Sequence, residues 1–366
     1  LHAPVSSLGE HALISRITAR LASQRVGRAG ESALPPWVVV GPGDDAAVIE
    51  PERNALDVLT TDALVEGVHF DRRFVPSDAI GYRALAVNLS DLAAMGARPR
   101  AALLSLILPE TLETLELDGM IDGLLTVAAA YRVSLIGGNV TRTPGPLTID
   151  VTAIGSVHRR RILTRAGARP GDEVYVTGTL GDAAVGLRSL RVLVGGPEGP
   201  PLLSRDASPI RPTTCEHRYL RPDPRVRAGV VVGRTRAATS CMDLSDGLAD
   251  AVRQIAQASG VGITLDGRAI PISDQSRAWH EHQGLDPLHT ALTGGDDYEL
   301  IFTVRPTQRR RFIAARQLCA DLPITRIGVV TKARDLLVKE GDRARELPAG
   351  YEHFGPADTA RRGDVG

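Results

Sequence analysis

Residues 60–70, TTDALVEGVHF, follow the run Leu56–Leu59, which reads as a strand. Two hydroxyls, Thr60 and Thr61, and one carboxylate, Asp62, fall where that strand is expected to end. Glu66 and His69 follow, and Gly67 lets the backbone bend between them. Oxygen donors in series suit a hard cation such as magnesium. Thr and Asp also cap strands and open turns through local hydrogen bonds. The metal reading gains weight because acidic stretches of the same kind recur along the chain.

The first recurrence is Gly41–Ile49, GPGDDAAVI, where Asp44 and Asp45 adjoin after two glycines. Neighbouring carboxylates repel unless water or a cation solvates them, so an exposed turn and a metal site are both open. Residues 78–96, DAIGYRALAVNLSDLAAMG, have helical apolar spacing. Asn88, Ser90 and Asp91 interrupt that apolar surface, and a carboxylate there needs a cap, a buried hydrogen bond or a metal. Val133–Ile136 predicts a short strand ending at Gly137-Gly138-Asn139, either a phosphate approach to backbone amides or a hairpin-like turn. Thr239–Met242 predicts a strand running into Asp243, Ser245, Asp246 and Gly247, with a helix over 248–259. One such residue suffices for a cap, and three are present. Residues 292–304, LTGGDDYELIFTV, repeat the theme with Asp296 and Asp297.

Elsewhere the spacing predicts helices over 9–26, 112–131, 182–193, 225–234 and 309–318. Strands are predicted over 101–108, 147–154, 172–177, 261–265 and 324–330. The strand–glycine turn–helix unit at 172–193 is a candidate anion site at a helix N-terminus, although tight packing explains its glycines equally well. Segments 27–36 and 194–212, rich in Gly, Pro and Ser, read as surface loops, and Tyr351–Phe354 as an aromatic cluster that seals a core or stacks on a flat ring.

The bulk numbers bound the class. A chain of 366 residues exceeds one ordinary core, so two domains are expected, each alternating strands and helices. Hydrophobic residues at 43% and charged residues at 23% are ordinary for a globular chain. A formal net charge of zero argues against a general polyanion binder, and nucleic acid is not expected as a partner. No stretch reaches a membrane-spanning length, and no basic-then-apolar leader pattern is read. Cys215, Cys241 and Cys319 lie far apart without zinc spacing, so reduced cytoplasmic thiols are expected. Cys215 with His217 is a metal pair or a chance loop neighbour. The only lysines are Lys332 and Lys339, and no GxxxxGK[ST] loop exists. Any handling of nucleotide phosphates therefore falls to metal ions, arginine and backbone amides.

GDDAAV, TTDALVEGVHF, NLSDLAAMGA, IGG with a following Thr-Arg pair, RAGARPGDEVYVTGTLGDAA, MDLSDGL and GGDDYEL occur in this order, over roughly residues 9–355. In this the chain resembles the thiamine-monophosphate kinases of the aminoimidazole ribonucleotide synthetase-like superfamily. The resemblance implies an α/β (α+β) fold of two domains: 1–157, which binds ATP and magnesium and forms a homodimer, and 158–366, the synthetase-like domain. It implies transfer of the ATP γ-phosphoryl group to thiamine monophosphate, giving thiamine diphosphate, with several magnesium ions and no dedicated catalytic side chain. Residue by residue, Asp45, Thr60, Thr61, Asp62, Asp91, Asn139, Asp243 and Asp246 match metal positions. Gly138, Asn139, Arg165 and Ser245 match ATP positions, and His69, Asp296 and Tyr351 match substrate positions. Two departures stand out: such kinases usually carry Asp where this chain has Asn139, and Glu where it has Asp296. The alternatives are another ATP-using member of the superfamily, or a nucleotide-binding form impaired by Asn139. Selenophosphate synthetase, one such member, normally needs a reactive residue near the N-terminus, and no Cys precedes residue 215.

Overall fold

The computed structural model describes residues 4–24, 34–193 and 214–350. Its contacts divide the chain into two units, Leu1–Ile162 with Pro224–Arg234, and Leu163–Asp223 with Thr235–Gly366. The expected boundary at 157/158 compares with a division at 162/163, and the segment 224–234 returns to the first unit.

The first unit opens with helix α1 (Glu10–Gln24) and the short strands β1 (Val38–Val40) and β2 (Val48–Ile49). Then come β3 (Leu56–Val65), α2 (Ser77–Ala94), β4 (Arg98–Pro109), α3 (Thr114–Tyr131), β5 (Ser134–Thr143) and β6 (Thr148–Val157). The four long strands form one sheet in the order β3-β6-β4-β5. β6 is antiparallel to both neighbours, and β4 and β5 run parallel. Helices α2 and α3 pack together so closely that a side chain on Gly81 would meet Met120 O at 1.7 Å, and one on Gly123 would meet Asp78 O at 1.8 Å. Ile80, Leu85, Leu89, Leu92, Leu117 and Ile121 are buried, the helical spacing read in the sequence.

Two strands outrun their expected ends. β3 does not stop at Leu59: it pairs with β6 from Leu56↔Val157 to Val65↔Thr148, so Thr60, Thr61 and Asp62 sit in mid-strand. Likewise β5 continues through Gly137, Gly138 and Asn139, because each finds a register partner on β4. The glycine at 138 has a packing reason, since a Cβ there would lie 2.0 Å from Leu104 O. Strands β5 and β6 are not sheet neighbours, which rules out the hairpin-like alternative for this stretch.

Continuing along the chain are β7 (Glu173–Thr177), α4 (Asp182–Leu193), α5 (Thr214–Leu220) and α6 (Val226–Thr235). Helix α6 supplies the segment returned to the first unit. There Gly229 lies against Ala93, where a Cβ would meet its carbonyl oxygen at 2.0 Å. Just before α6, Pro224 O accepts a hydrogen bond from Tyr131 Oη at 3.2 Å.

The second unit proceeds through β8 (Ala238–Asp243), α7 (Leu248–Ser259), β9 (Gly262–Asp266), α8 (Asp274–Gln283), α9 (Pro287–Thr293) and β10 (Leu300–Val304). It ends with α10 (Arg309–Leu318), β11 (Ile324–Thr331), β12 (Leu336–Glu340) and β13 (Arg343–Glu346). Its sheet has the order β13-β12-β9-β11-β7-β10-β8, antiparallel except between β12 and β9. Leu248, Val252 and Ile255 of α7 pack into one core with Val174, Val176, Ile263 and Ile301. Helices α5, α8 and α9 were not legible as periodic segments: α8, DQSRAWHEHQ, is nearly all polar and is fixed instead by its Ser273 cap, whose hydroxyl accepts from Ser276 N. Loop 194–212 and the Tyr351–Phe354 cluster lie outside the described residues, as does most of segment 27–36.

Candidate functional site

The pleat of β3 sorts the first group of candidates. Successive side chains of a strand face opposite sides. Thr60 Oγ1 donates to Asp91 Oδ2 on α2, while the next residue, Thr61, donates to Asp150 Oδ1 on β6 at 2.8 Å and lies 3.2 Å from Thr152 Oγ1. Thr60 and Asp62 thus share one face and Thr61 the other. Asp91 is one turn beyond Asn88, which is fully buried and donates to Ala84 O at 3.0 Å within the helix.

On the Thr61 face a second row forms. Asn139 is opposite Ser105, and Ser105 is opposite Asp150, so the three residues line up across β5, β4 and β6. Register partners present their side chains on the same face. Asn139 is exposed, and neutral where the acidic reading wanted charge. His69 sits in the loop after β3, and its Nδ1 accepts from Val65 N at 3.1 Å, which places the proton of a neutral ring on Nε2. Glu66 is held by Arg72, which also reaches Glu116. Asp44 and Asp45 are both exposed, and Asp45 N donates to Asp44 Oδ1 at 2.9 Å.

In the second unit, two loops are stitched into one surface. Asp296 N donates to Ser245 O at 2.7 Å, Tyr298 N to Leu244 O at 2.9 Å, and Leu244 N to Glu299 O at 2.8 Å. These bonds bring Ser245, Asp246 and Asp296 together just beyond Asp243, at the end of β8. Glycine is required at 295 and 247: a Cβ would meet Ser245 O at 2.6 Å from the first and Gly294 O at 2.9 Å from the second. Gly247, at φ 91°, is the N-cap residue of α7. Arg165 is exposed and donates to Gln254 Oε1 on α7 at 2.5 Å.

The two acids of GGDDYEL part company. Asp296 and Tyr298 both adopt left-handed backbone, φ 67° and 50°, and Tyr298 Oη donates to Asp296 Oδ1 at 3.1 Å. Asp297 between them is 2% exposed, and its carboxylate accepts from Gly181 N at 2.7 Å and Ala183 N at 3.3 Å. Burial pushes its carboxyl up to about 8, against the pull of the Gly181 N–H and Arg218. Arg218 donates to Asp297 O at 3.0 Å and pairs with buried Glu299 at 2.5 Å. The acceptor that meets the N-terminus of α4 is therefore the chain's own Asp297, a carboxyl that burial keeps neutral below about 8, so the turn expected as an open anion site is filled from within the chain. Asp182 is committed too, accepting from Ser273 Oγ at 2.5 Å. Burial beside Asp182 raises the Cys215 thiol to about 12, and on α5 Cys215 is buried whereas His217 is exposed, so the two form no metal pair.

The donor set tests the fit of magnesium. Every candidate ligand offers oxygen: carboxylates at 45, 62, 91, 243 and 246, hydroxyls at 60 and 61, an amide at 139. That chemistry fits a hard cation. Among the described residues no group of three or more His, Cys, Asp or Glu could hold a metal. Magnesium is ordinarily held by one or two carboxylates, with water and substrate phosphates completing the shell.

Asp150 and Tyr298 escaped sequence reasoning. The alternation of 147–156, LTIDVTAIGS, does place Asp150 and Thr152 on one face, but its partner strand was not legible. Tyr351 lies outside the described residues.

Residues 43–157 match the family described as AIR synthase related protein, N-terminal domain, and residues 169–339 the corresponding C-terminal domain. The thiamine-monophosphate kinase of Escherichia coli (strain K12) is 39% identical over 352 residues, 94% of this chain and 98% of that one. That of Bacillus subtilis (strain 168) is 36% identical over 327 residues, 87% and 94%. Among solved structures, thiamine-monophosphate kinase from Stenotrophomonas maltophilia K279a matches with TM-score 0.73 and 38% identity, covering 92% of this chain and 98% of that one. A structure described as AaThiL complexed with AMPPCP and TMP matches with TM-score 0.69 and 32% identity, covering 96% and 99%. Hydrogenase maturation protein HypE in complex with ATP, at 20% identity and TM-score 0.71 over 96% and 98%, shares the fold.

Proposed function

Since this chain belongs to the thiamine-monophosphate kinase family, we propose that it transfers the γ-phosphoryl group of ATP to thiamine monophosphate, yielding thiamine diphosphate and ADP. The observation that carries the reading is the near full-length match to a relative described with both AMPPCP and TMP. The acceptor is a phosphate monoester, already anionic near neutral pH, so no general base is required. Magnesium, when bound, would neutralise the phosphates and the charge on the transferring group. On the first unit, Asp45, Thr60, Thr61, Asp62, Asp91 and Asn139 would hold such ions, and on the second unit, taken by itself, Asp243 and Asp246 would.

This chain's residues do the rest by orientation. Thr60 donates to Asp91 and so fixes the face of a carboxylate at the turn Asn88–Asp91. On the second unit Gln254 holds the Arg165 guanidinium, which with Ser245 is a candidate for ATP contact, and on the first unit, taken by itself, Gly138 and Asn139 are the candidates. His69 on the first unit, its Nδ1 accepting from Val65 N, and Asp296 on the second are each candidates for contact with thiamine monophosphate. Transfer is direct, without a phosphoenzyme. Acid-stable label on the protein during turnover would contradict this.

A homodimer formed through the first domain, residues 1–157, belongs to the same reading, with residues 158–366 as the second domain. Leu59, 66% exposed on β3, supports the dimer as an apolar residue on the sheet. No described helix is long and apolar enough to cross a membrane. A cytoplasmic enzyme is part of the proposal.

The test is ADP release from ATP, magnesium and thiamine monophosphate, with thiamine diphosphate followed by chromatography. Product formation is expected, and its absence under saturating substrates would overturn the reading for the native chain. Activity that appears only in Asn139→Asp would instead identify an impaired kinase.

A further inference from the structure

Within the GGDDYEL loop two neighbouring non-glycine residues, Asp296 and Tyr298, hold left-handed backbone on either side of a buried carboxylate. Such conformations are unfavourable for side-chain-bearing residues and persist only where the surroundings over-determine them, often at functional sites. Here they are over-determined three times. Asp296 N and Tyr298 N are tied to the 244–247 loop at Ser245 O and Leu244 O. Asp297 is anchored beneath on Gly181 N and Ala183 N. Arg218 grips Asp297 O from α5.

The result is a ring with little freedom. Tyr298 is 8% exposed, so its χ angles are set by packing, and its hydroxyl ends 3.1 Å from Asp296 Oδ1. Holding a carboxylate in one orientation before a ligand arrives lowers the ordering cost of binding. We propose that Tyr298 is a positioning residue: its phenol hydroxyl fixes the Asp296 carboxylate in the orientation that receives the substrate. This rests on the reading of Asp296 as a contact to thiamine monophosphate. The ligand class that profits is one presenting positive charge or N–H donors to a carboxylate. Tyr298 itself need not touch the substrate.

The experiment is Tyr298→Phe in the full-length protein, with KM for thiamine monophosphate, KM for ATP, kcat and Tm measured together. Phe keeps the buried ring and removes only the hydroxyl. The expected result is a KM for thiamine monophosphate raised roughly three- to tenfold, with KM for ATP and Tm essentially unchanged. A merely structural tyrosine would move Tm, or both KM values together, and that pattern overturns the proposal. Asp296→Asn separates this failure from a failure of the underlying reading. If Asp296→Asn raises KM for thiamine monophosphate and Tyr298→Phe does not, the positioning role alone falls. If Asp296→Asn leaves that KM unchanged, both fall. In the double variant, Tyr298→Phe is expected to add nothing to Asp296→Asn, and additive effects would overturn the coupling.

Discussion

The turns Gly41–Asp45 and Gly294–Asp297 carry the same signature, glycines followed by two aspartates, and they resolve it in opposite ways. At Asp44-Asp45 both residues are exposed, and a side-chain bond runs within the pair, from Asp45 N to Asp44 Oδ1. At Asp296-Asp297 the pair is split across the surface: one acid beside Tyr298, the other buried on the first turn of α4. The difference lies in the surroundings. Gly181 and Ala183 at the start of α4 present amide hydrogens that need an acceptor, and the second turn supplies it through Asp297. Adjacent acids therefore do not by themselves mark a metal site. One of the two can be a structural cap, and here the other is half-buried on left-handed backbone and accepts from Tyr298 Oη.

This contrast breaks most readily at Asp297. Replacing it with Ala leaves buried amides without an acceptor, and urea denaturation is expected to show a loss of about 2–4 kcal/mol. The same change at Asp45 is expected to stay within about 0.5 kcal/mol. Equal losses would erase the distinction.

Next in size is the activity contrast between the outward acids. Asp296→Asn is expected to raise KM for thiamine monophosphate about tenfold, whereas Asp45→Asn is expected to shift the magnesium dependence by a similar factor, with little effect on that KM. Magnesium titrations of the initial rate at fixed ATP separate the two.

A pH series sharpens the contrast further. Burial holds Asp297 protonated in the fold up to about 8, above the unfolded range near 4. Its stabilising contribution is therefore complete below about 4 and declines as pH rises toward about 8. Asp297→Asn is expected to flatten the fall of Tm over that window, and an unchanged slope would place the titration elsewhere. The smallest effect is assigned to Asp44→Asn: less than about 0.5 kcal/mol in stability and under about twofold in rate.

Periodicity made most of the fold legible. The helices over 182–193 and 248–259 begin and end where apolar spacing and flanking glycines place them. Strand ends were misplaced where polar residues continue a ladder, as at Thr60–Asp62 and Gly137–Asn139, because register depends on a partner strand that local sequence does not name. The candidate residues were legible as a set through their ordered motifs. Their pairings were not: Thr60 with Asp91, Thr61 with Asp150 and Asp297 with Gly181 join positions 31, 89 and 116 apart.

One long-range join has a consequence for biosynthesis. Helix α6, Val226–Thr235, packs on the first unit, with Gly229 against Ala93, although Leu163–Asp223 has already been laid down in the second. A nascent chain released at residue 162 would carry the complete sheet β3-β6-β4-β5 and still lack a piece of its covering. Vectorial synthesis therefore cannot finish the first unit before it has delivered the opening of the second, so the two halves mature on one timetable. An expression clone cut at residue 157 would meet the same deficit, exposing the Ala93 backbone that Gly229 approaches.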